Sequence, residues 1–270
     1  MGNMPLHATG EYTPRRPHST NCTMDYVVSC YTPSFSSLRY SRYRQRELGR
    51  SRVRSAVAIA MSDLEGAQRL MGVSKELSAF QRCFPGAHVV HEPTKKDAIN
   101  QVLTNNIVHF ACHGVLNATK PEQAALLVNN DVADGLTFSD LDKLVCSRGR
   151  LAYLSACSTA ANPSRESLSE AVHLTTGFQL AGFPHVVGTL WQADDDAAVD
   201  IAELFYTSLT ARSAAQARAS DQDESDAGLV EMQGDAVAAA LDEAITRFRS
   251  RDGISEANFL AWAPFVYFGS

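Results

Sequence analysis

Apolar positions in this 270-residue chain cluster into short runs separated by polar stretches marked with Gly and Pro. Ala56-Val57-Ala58-Ile59-Ala60, Ile107-Val108-His109-Phe110-Ala111, Leu151-Ala152-Tyr153-Leu154 and His185-Val186-Val187-Gly188-Thr189-Leu190-Trp191 are nearly continuous. Runs of four to eight apolar residues without alternation predict strands covered on both faces. Residues 26–31, 87–91 and 124–128 read as further strands, and the aromatic stretch 259–268 as the last one. Helices are expected between them. One covers about 34–52, and one begins at an N-cap on Ser74 and ends at Pro85-Gly86. Thr94 caps 95–103 with Asp97 three residues on, and Thr137 caps a short helix carrying Leu141 and Leu144. Residues 166–181 form a helix ended by Gly182 and Pro184. Asp194-Asp195-Asp196 opens another, with Ile201, Leu204, Phe205 and Leu209 on one face, and helix returns over 237–248.

Alternating strands and helices predict one α/β sandwich around a mostly parallel sheet, spanning 24–270. Residues 1–23 are polar and aperiodic and read as a poorly ordered N-terminal segment. Residues 211–234, rich in Ala, Ser, Asp and Gln, read as a flexible insertion.

Composition narrows the function. At 45% hydrophobic residues the chain can fill a sizeable core. The net charge of −6 comes without a dominant basic stripe, which argues against nucleic-acid binding. Six arginines between Arg39 and Arg52 read as a solvated basic face. No apolar run reaches membrane-spanning length and no secretory signal core is present. The six cysteines occur singly, as expected of reduced thiols, and a cytoplasmic protein follows from this. The sequons at Asn21 and Asn117 are then chance matches.

Two of the buried strands end in reactive residues. Ile107-Val108-His109-Phe110-Ala111 runs into Cys112-His113-Gly114, and Leu151-Ala152-Tyr153-Leu154 runs into Ser155-Ala156-Cys157-Ser158. Such strand ends are where open α/β sheets place their sites. If the two strands are neighbours, His113 and Cys157 meet as base and nucleophile. A catalytic thiol needs an electropositive neighbour, which His113 supplies. The Gly114 and Cys157 backbone N–H groups would then face the developing oxyanion. A packed core thiol is the competing reading of Cys157. A P-loop, a dinucleotide-binding glycine fingerprint and a hydrolase elbow all lack their residues here. Cys112 and His113, adjacent on a strand end, point to opposite sides and make a poor zinc pair. No cofactor or metal is expected.

Three ordered motifs carry a family resemblance. They are His109-Phe110-Ala111-Cys112-His113-Gly114, Leu154-Ser155-Ala156-Cys157-Ser158-Thr159, and the stretch from Ala181-Gly182-Phe183-Pro184 through Leu190-Trp191-Gln192-Ala193-Asp194-Asp195. Together with Trp262-Ala263-Pro264-Phe265-Val266 they resemble the CHAT domain family, caspase-like cysteine peptidase domains related to separase. The resemblance implies a caspase-like three-layer sandwich, a His113/Cys157 dyad, a protein or peptide substrate, and regulation, often by attached TPR repeats. In separase an acid shortly after the Leu-Trp strand end lines the pocket for a basic P1 residue, the residue before the cleaved bond. Asp195 or Asp194 would take that place here, with N-capping of the next helix as the alternative.

Two positions depart from the family pattern. Ala160 replaces a glycine, and Ser169-Glu170 replaces a Gly-Glu or Asp-Glu pair. The segment Pro5-Leu6-His7-Ala8-Thr9-Gly10 resembles one that follows earlier parts of the family domain, so an N-terminally truncated domain, or a piece of a longer protein, is expected. The competing function is an inactive CHAT-type scaffold or protein-interaction module.

Overall fold

The computed structural model describes residues 4–12, 20–49, 53, 55–65, 69–115, 124–155, 157–158, 167–219, 232, 234–252 and 256–269. In chain order the elements are β1 (Gly10–Tyr12), β2 (Thr20–Cys22), α1 (Phe35–Leu48), β3 (Ala56–Ala60), α2 (Val73–Cys83), β4 (His88–His91), α3 (Lys95–Thr104), β5 (Ile107–Ala111), β6 (His113–Val115), β7 (Ala125–Leu127), β8 (Leu136–Thr137), α4 (Phe138–Leu141), β9 (Leu151–Leu154), β10 (Cys157–Ser158), α5 (Ser167–Ala181), β11 (His185–Thr189), α6 (Asp195–Ala219), α7 (Gly234–Asp252), α8 (Glu256–Trp262) and β12 (Phe265–Phe268).

Six strands form the central sheet in the order β12-β11-β9-β5-β3-β4. All neighbours run parallel except β12, which is antiparallel to β11. The expected α/β fold with a mostly parallel sheet is therefore present. The apolar runs lack alternation because both faces are covered. Ala58, Ile107, Tyr153, Val187 and Tyr267 face a core closed by α2, α6, α7 and α8. Their chain neighbours Ile59, Val108, Leu154, Val186 and Val266 face a second core under α3, α4 and α5. This makes three layers. A smaller sheet, in the order β10-β6-β7-β8, continues beyond the carboxyl ends of β5 and β9.

Several local expectations are corrected. Residues 26–30 are not a strand; only Tyr31 bridges to Phe268. The amides of Tyr26 and Val27 both donate to the Thr23 carbonyl, so a tight turn takes the groups a strand would need. Within the first 23 residues, β1 and β2 pair antiparallel, while His7, Ala8 and Cys22 are buried. α2 is capped at Gly72 rather than at Ser74. Helix α6 runs on through Ala219, well into the stretch read as an insertion. Ala, Arg and Gln favour helix even where large apolar residues are few, and Leu209 and Ser213 are buried. Residues 220–231 lie outside the described ones. The closing stretch splits into α8 and β12, and β11 stops at Thr189 as the Leu190 amide turns to Pro264 O, 2.9 Å away. Among the described residues no helix is long and apolar enough to cross a membrane.

Candidate active site

β5 and β9 lie side by side in the central sheet, with Phe110 opposite Leu154. Past that rung both strands break briefly, and the Ser155 amide still donates to Phe110 O at 2.9 Å. They resume as β6 and β10, again parallel neighbours, with His113 opposite Cys157 and Gly114 opposite Ser158. The offset of 44 residues that pairs Phe110 with Leu154 also pairs His113 with Cys157. Paired backbones in a sheet are roughly 4.8 Å apart. The backbone fold thus brings together the two residues singled out in the sequence. Cys157 enters here through its backbone alone. Ala160 and the side chains of Ser169 and Glu170 lie outside the described residues.

His113 is fully buried. Neither ring nitrogen makes a well-aligned hydrogen bond among the described residues, although the Ser62 backbone lies close enough to favour the charged ring. Burial lowers its pKa below the ordinary histidine value, because the charged ring loses its water. The nearby Ser62 backbone and the carboxylates of Asp63 and Asp195 pull the other way and lose. The ring is therefore held neutral near pH 7, with a nitrogen lone pair free to accept a proton. Asp63 and Ser62 belong to the segment after β3, which the sequence motifs did not flag.

The two candidate pocket acids separate cleanly. Asp194 is exposed, and its Oδ1 accepts the Ala197 amide at 3.1 Å, so it caps α6. Asp195 is half-buried, and its Oδ2 accepts the Gly72 amide at 2.7 Å. A Cβ on Gly72 would meet Asp195 Oδ1 at 2.8 Å and Val199 Cγ2 at 2.7 Å, so this close approach requires glycine. Asp195 is the one near enough to favour a charge on His113.

Behind the site lies a buried polar cluster that sequence reading missed. His109, fully buried on β5, has Nδ1 2.7 Å from the Tyr206 hydroxyl and Nε2 3.2 Å from Glu76 Oε1. The second contact is close but poorly aligned for a hydrogen bond. The ring also stacks on Tyr153 of β9, centroids 5.1 Å apart at 13°. Burial beside Glu76 pushes the Tyr153 hydroxyl far above its ordinary pKa, and burial with Tyr153 and Glu76 nearby does the same to Tyr206. A histidine inside an otherwise apolar strand was the signal available for this cluster. Among the described residues, no group of three or more His, Cys, Asp or Glu is placed to hold a metal ion.

The sequence profile of the CHAT domain matches residues 1–270. The chain belongs to the CHAT domain family. No curated protein matches it in sequence. Among solved structures, this CHAT domain resembles Saccharomyces cerevisiae separase in its complex with securin, with a TM-score of 0.53 at 16% identity. The likeness covers 89% of this chain and 14% of separase. It also resembles the Arg-specific cysteine proteinase gingipain R of Porphyromonas gingivalis, with a TM-score of 0.51 at 9% identity, over 88% of this chain and 52% of the other. At such identities these similarities concern the fold, which is the caspase-like one. This CHAT domain spans a small part of separase and about half of gingipain.

Proposed function

We propose that this CHAT domain is a cysteine endopeptidase with His113 and Cys157 as its dyad. The observation that carries this reading is the pairing of His113 with Cys157 across β6 and β10. In the proposed reaction the thiol proton passes to the His113 ring and the sulfur attacks the peptide carbonyl carbon. The Gly114 and Cys157 amides would donate to the resulting oxyanion. Collapse breaks the C–N bond, His113 gives its proton to the leaving amine, and a thioester remains. Water, deprotonated by His113, then attacks the thioester and releases the acid product and the thiol. The neutral imidazole is the form that accepts the thiol proton, while burial lowers its basicity.

Asp195 is the proposed determinant of a basic P1 residue, while Asp194 is left to the helix cap. The substrate is a protein or peptide, and regulation would come from a TPR-type region in a longer protein. Cys22, Cys30, Cys83, Cys112 and Cys146, all free thiols, fit the proposed cytoplasmic setting.

Complete burial of His113 favours a second reading, an inactive scaffold, since a base with no exposure meets no substrate until something moves. Labelling with a Lys/Arg-directed acyloxymethyl ketone tests both readings. Labelling that is lost in Cys157→Ala and in His113→Ala supports the dyad. A folded chain that stays unlabelled leaves the scaffold.

A further inference from the structure

Helix α1 has an inner face that is tied down and an outer face that is not. On the inner side Ser37 and Ser41 are buried, and Gln179 of α5 donates to Ser41 Oγ at 3.3 Å. Arg44 reaches Cys146 O at 2.9 Å and Ser147 O at 3.2 Å. Arg150 holds the carboxyl end of the helix through Leu48 O at 2.7 Å. Arg44 and Tyr43 both bind Glu47, the helix's one acid.

The outer side carries Phe35, Arg39, Arg42, Tyr43 and Arg46, all exposed. At 3.6 residues per turn these five fall within an arc of roughly 100°, and Phe35 and Arg46 are about 16 Å apart along the axis. Phe35 is 90% exposed and Tyr43 55%, an unusual placement for aromatic rings on a monomer surface. Among the described residues no acid pairs with Arg39, Arg42 or Arg46, whereas Arg44 and Arg150 do the structural work. The outer arginines are therefore not needed to hold the helix.

We infer that the outer face of α1 is a docking surface for an acidic protein segment that bears an apolar side chain. Three unpaired guanidinium forks match carboxylates, and the flanking rings match an apolar anchor. Charge complementarity selects this occupant over nucleic acid. The chain as a whole carries a charge of −6, which disfavours the approach of a long nucleic-acid polyanion, while a short acidic peptide need only span the face. The basic run in the sequence is thus a binding face and more than a solvated one. The surface lies apart from His113 and Cys157 and does not depend on the peptidase reading.

The test is fluorescence anisotropy with a labelled peptide of roughly ten residues, long enough to span the face at about 3.3 Å per residue. It carries Glu and Asp around a central Leu-Phe pair. The Cys157→Ala chain serves as receptor, so cleavage cannot intrude. Saturable binding is expected, weakened at least about tenfold by Arg39→Glu/Arg42→Glu/Arg46→Glu and several-fold by Phe35→Ala. Binding should fall between about 0.05 and 0.3 M salt. The replaced side chains are exposed, and circular dichroism confirms that each variant is folded. Three outcomes overturn the inference: no saturable binding to the folded chain, equal binding by the triple variant, or displacement of the peptide by a single-stranded RNA that binds more tightly through the same arginines.

Discussion

His109 on β5 stacks on Tyr153 on β9, and each lies four residues before the residue it leads to, His113 and Cys157. The stack sits on a rung of the central sheet, so it resists slippage of one strand against the other. A slip of one residue would turn every side chain to the opposite face. Register fixed at this rung is inherited by the His113–Cys157 rung beyond the strand breaks.

Removing His109 should be costly. His109→Ala leaves the Glu76 carboxyl buried, without its nearest partner and beside a cavity. A loss of about 3–5 kcal/mol is expected from urea unfolding. His109→Leu combined with Glu76→Leu should recover a substantial part of that loss, because no buried carboxyl is then left without its nearest partner. Additive losses in the double variant would show that the two side chains are uncoupled.

The two acids at the start of α6 should part company on substitution. Asp194→Ala removes a helix cap, so about 1 kcal/mol of stability should go while P1 preference stays. Asp195→Asn keeps the size of the side chain but removes the charge. Cleavage after Arg or Lys relative to Ala should then drop by about tenfold or more, read as kcat/KM on fluorogenic peptides. Unchanged selectivity in Asp195→Asn would remove the basic pocket from the reading.

How much of this was legible in the sequence follows from burial. Strands covered on both faces give continuous apolar runs, so β3, β5, β9 and β11 stand out in the chain. The spacing of His113 and Cys157 became informative once β5 and β9 were neighbours. Glu76 could not be foreseen, because a glutamate in a helix pattern reads as exposed, and its burial is decided by His109 on another element. Asp63 and Gly72 act through the path of one loop, which no periodicity encodes. Residues 26–30 have strand composition without a partner to pair with, and here tertiary context overrode propensity.

The pH dependence of the proposed reaction should report the environment of His113. Its base form is neutral, and burial lowers its pKa, so the acid limb of kcat/KM belongs below the ordinary histidine value. Asp63→Asn removes a charge that raises this pKa, so the limb should move to still lower pH. Asp63 also pairs with Arg69 at 3.0 Å, and both side chains are largely exposed, so high salt should shrink the shift. A limb that moves upward in Asp63→Asn would contradict this placement.

Stability should show two opposed proton-linked effects. Burial lowers His7 to about 4 and His185 to about 3, with Arg249 and Arg150 respectively adding to the effect. The unfolded chain binds those protons near pH 6.5, so this part of the stability is complete above that value and is lost as pH falls towards 4 and 3. Asp242 works in reverse. Burial raises it to about 6 against the pull of Arg249 and Arg212, so its charged form is disfavoured in the fold. Its contribution is complete below the unfolded pKa near 4 and is lost as pH rises through about 6. Asp242→Asn should therefore stabilise the protein at pH 8 by about 1–3 kcal/mol and have little effect at pH 4. Urea midpoints across this range decide the matter. A larger gain at pH 4 than at pH 8 would mean that Arg249 and Arg212 outweigh the burial of Asp242 on α7.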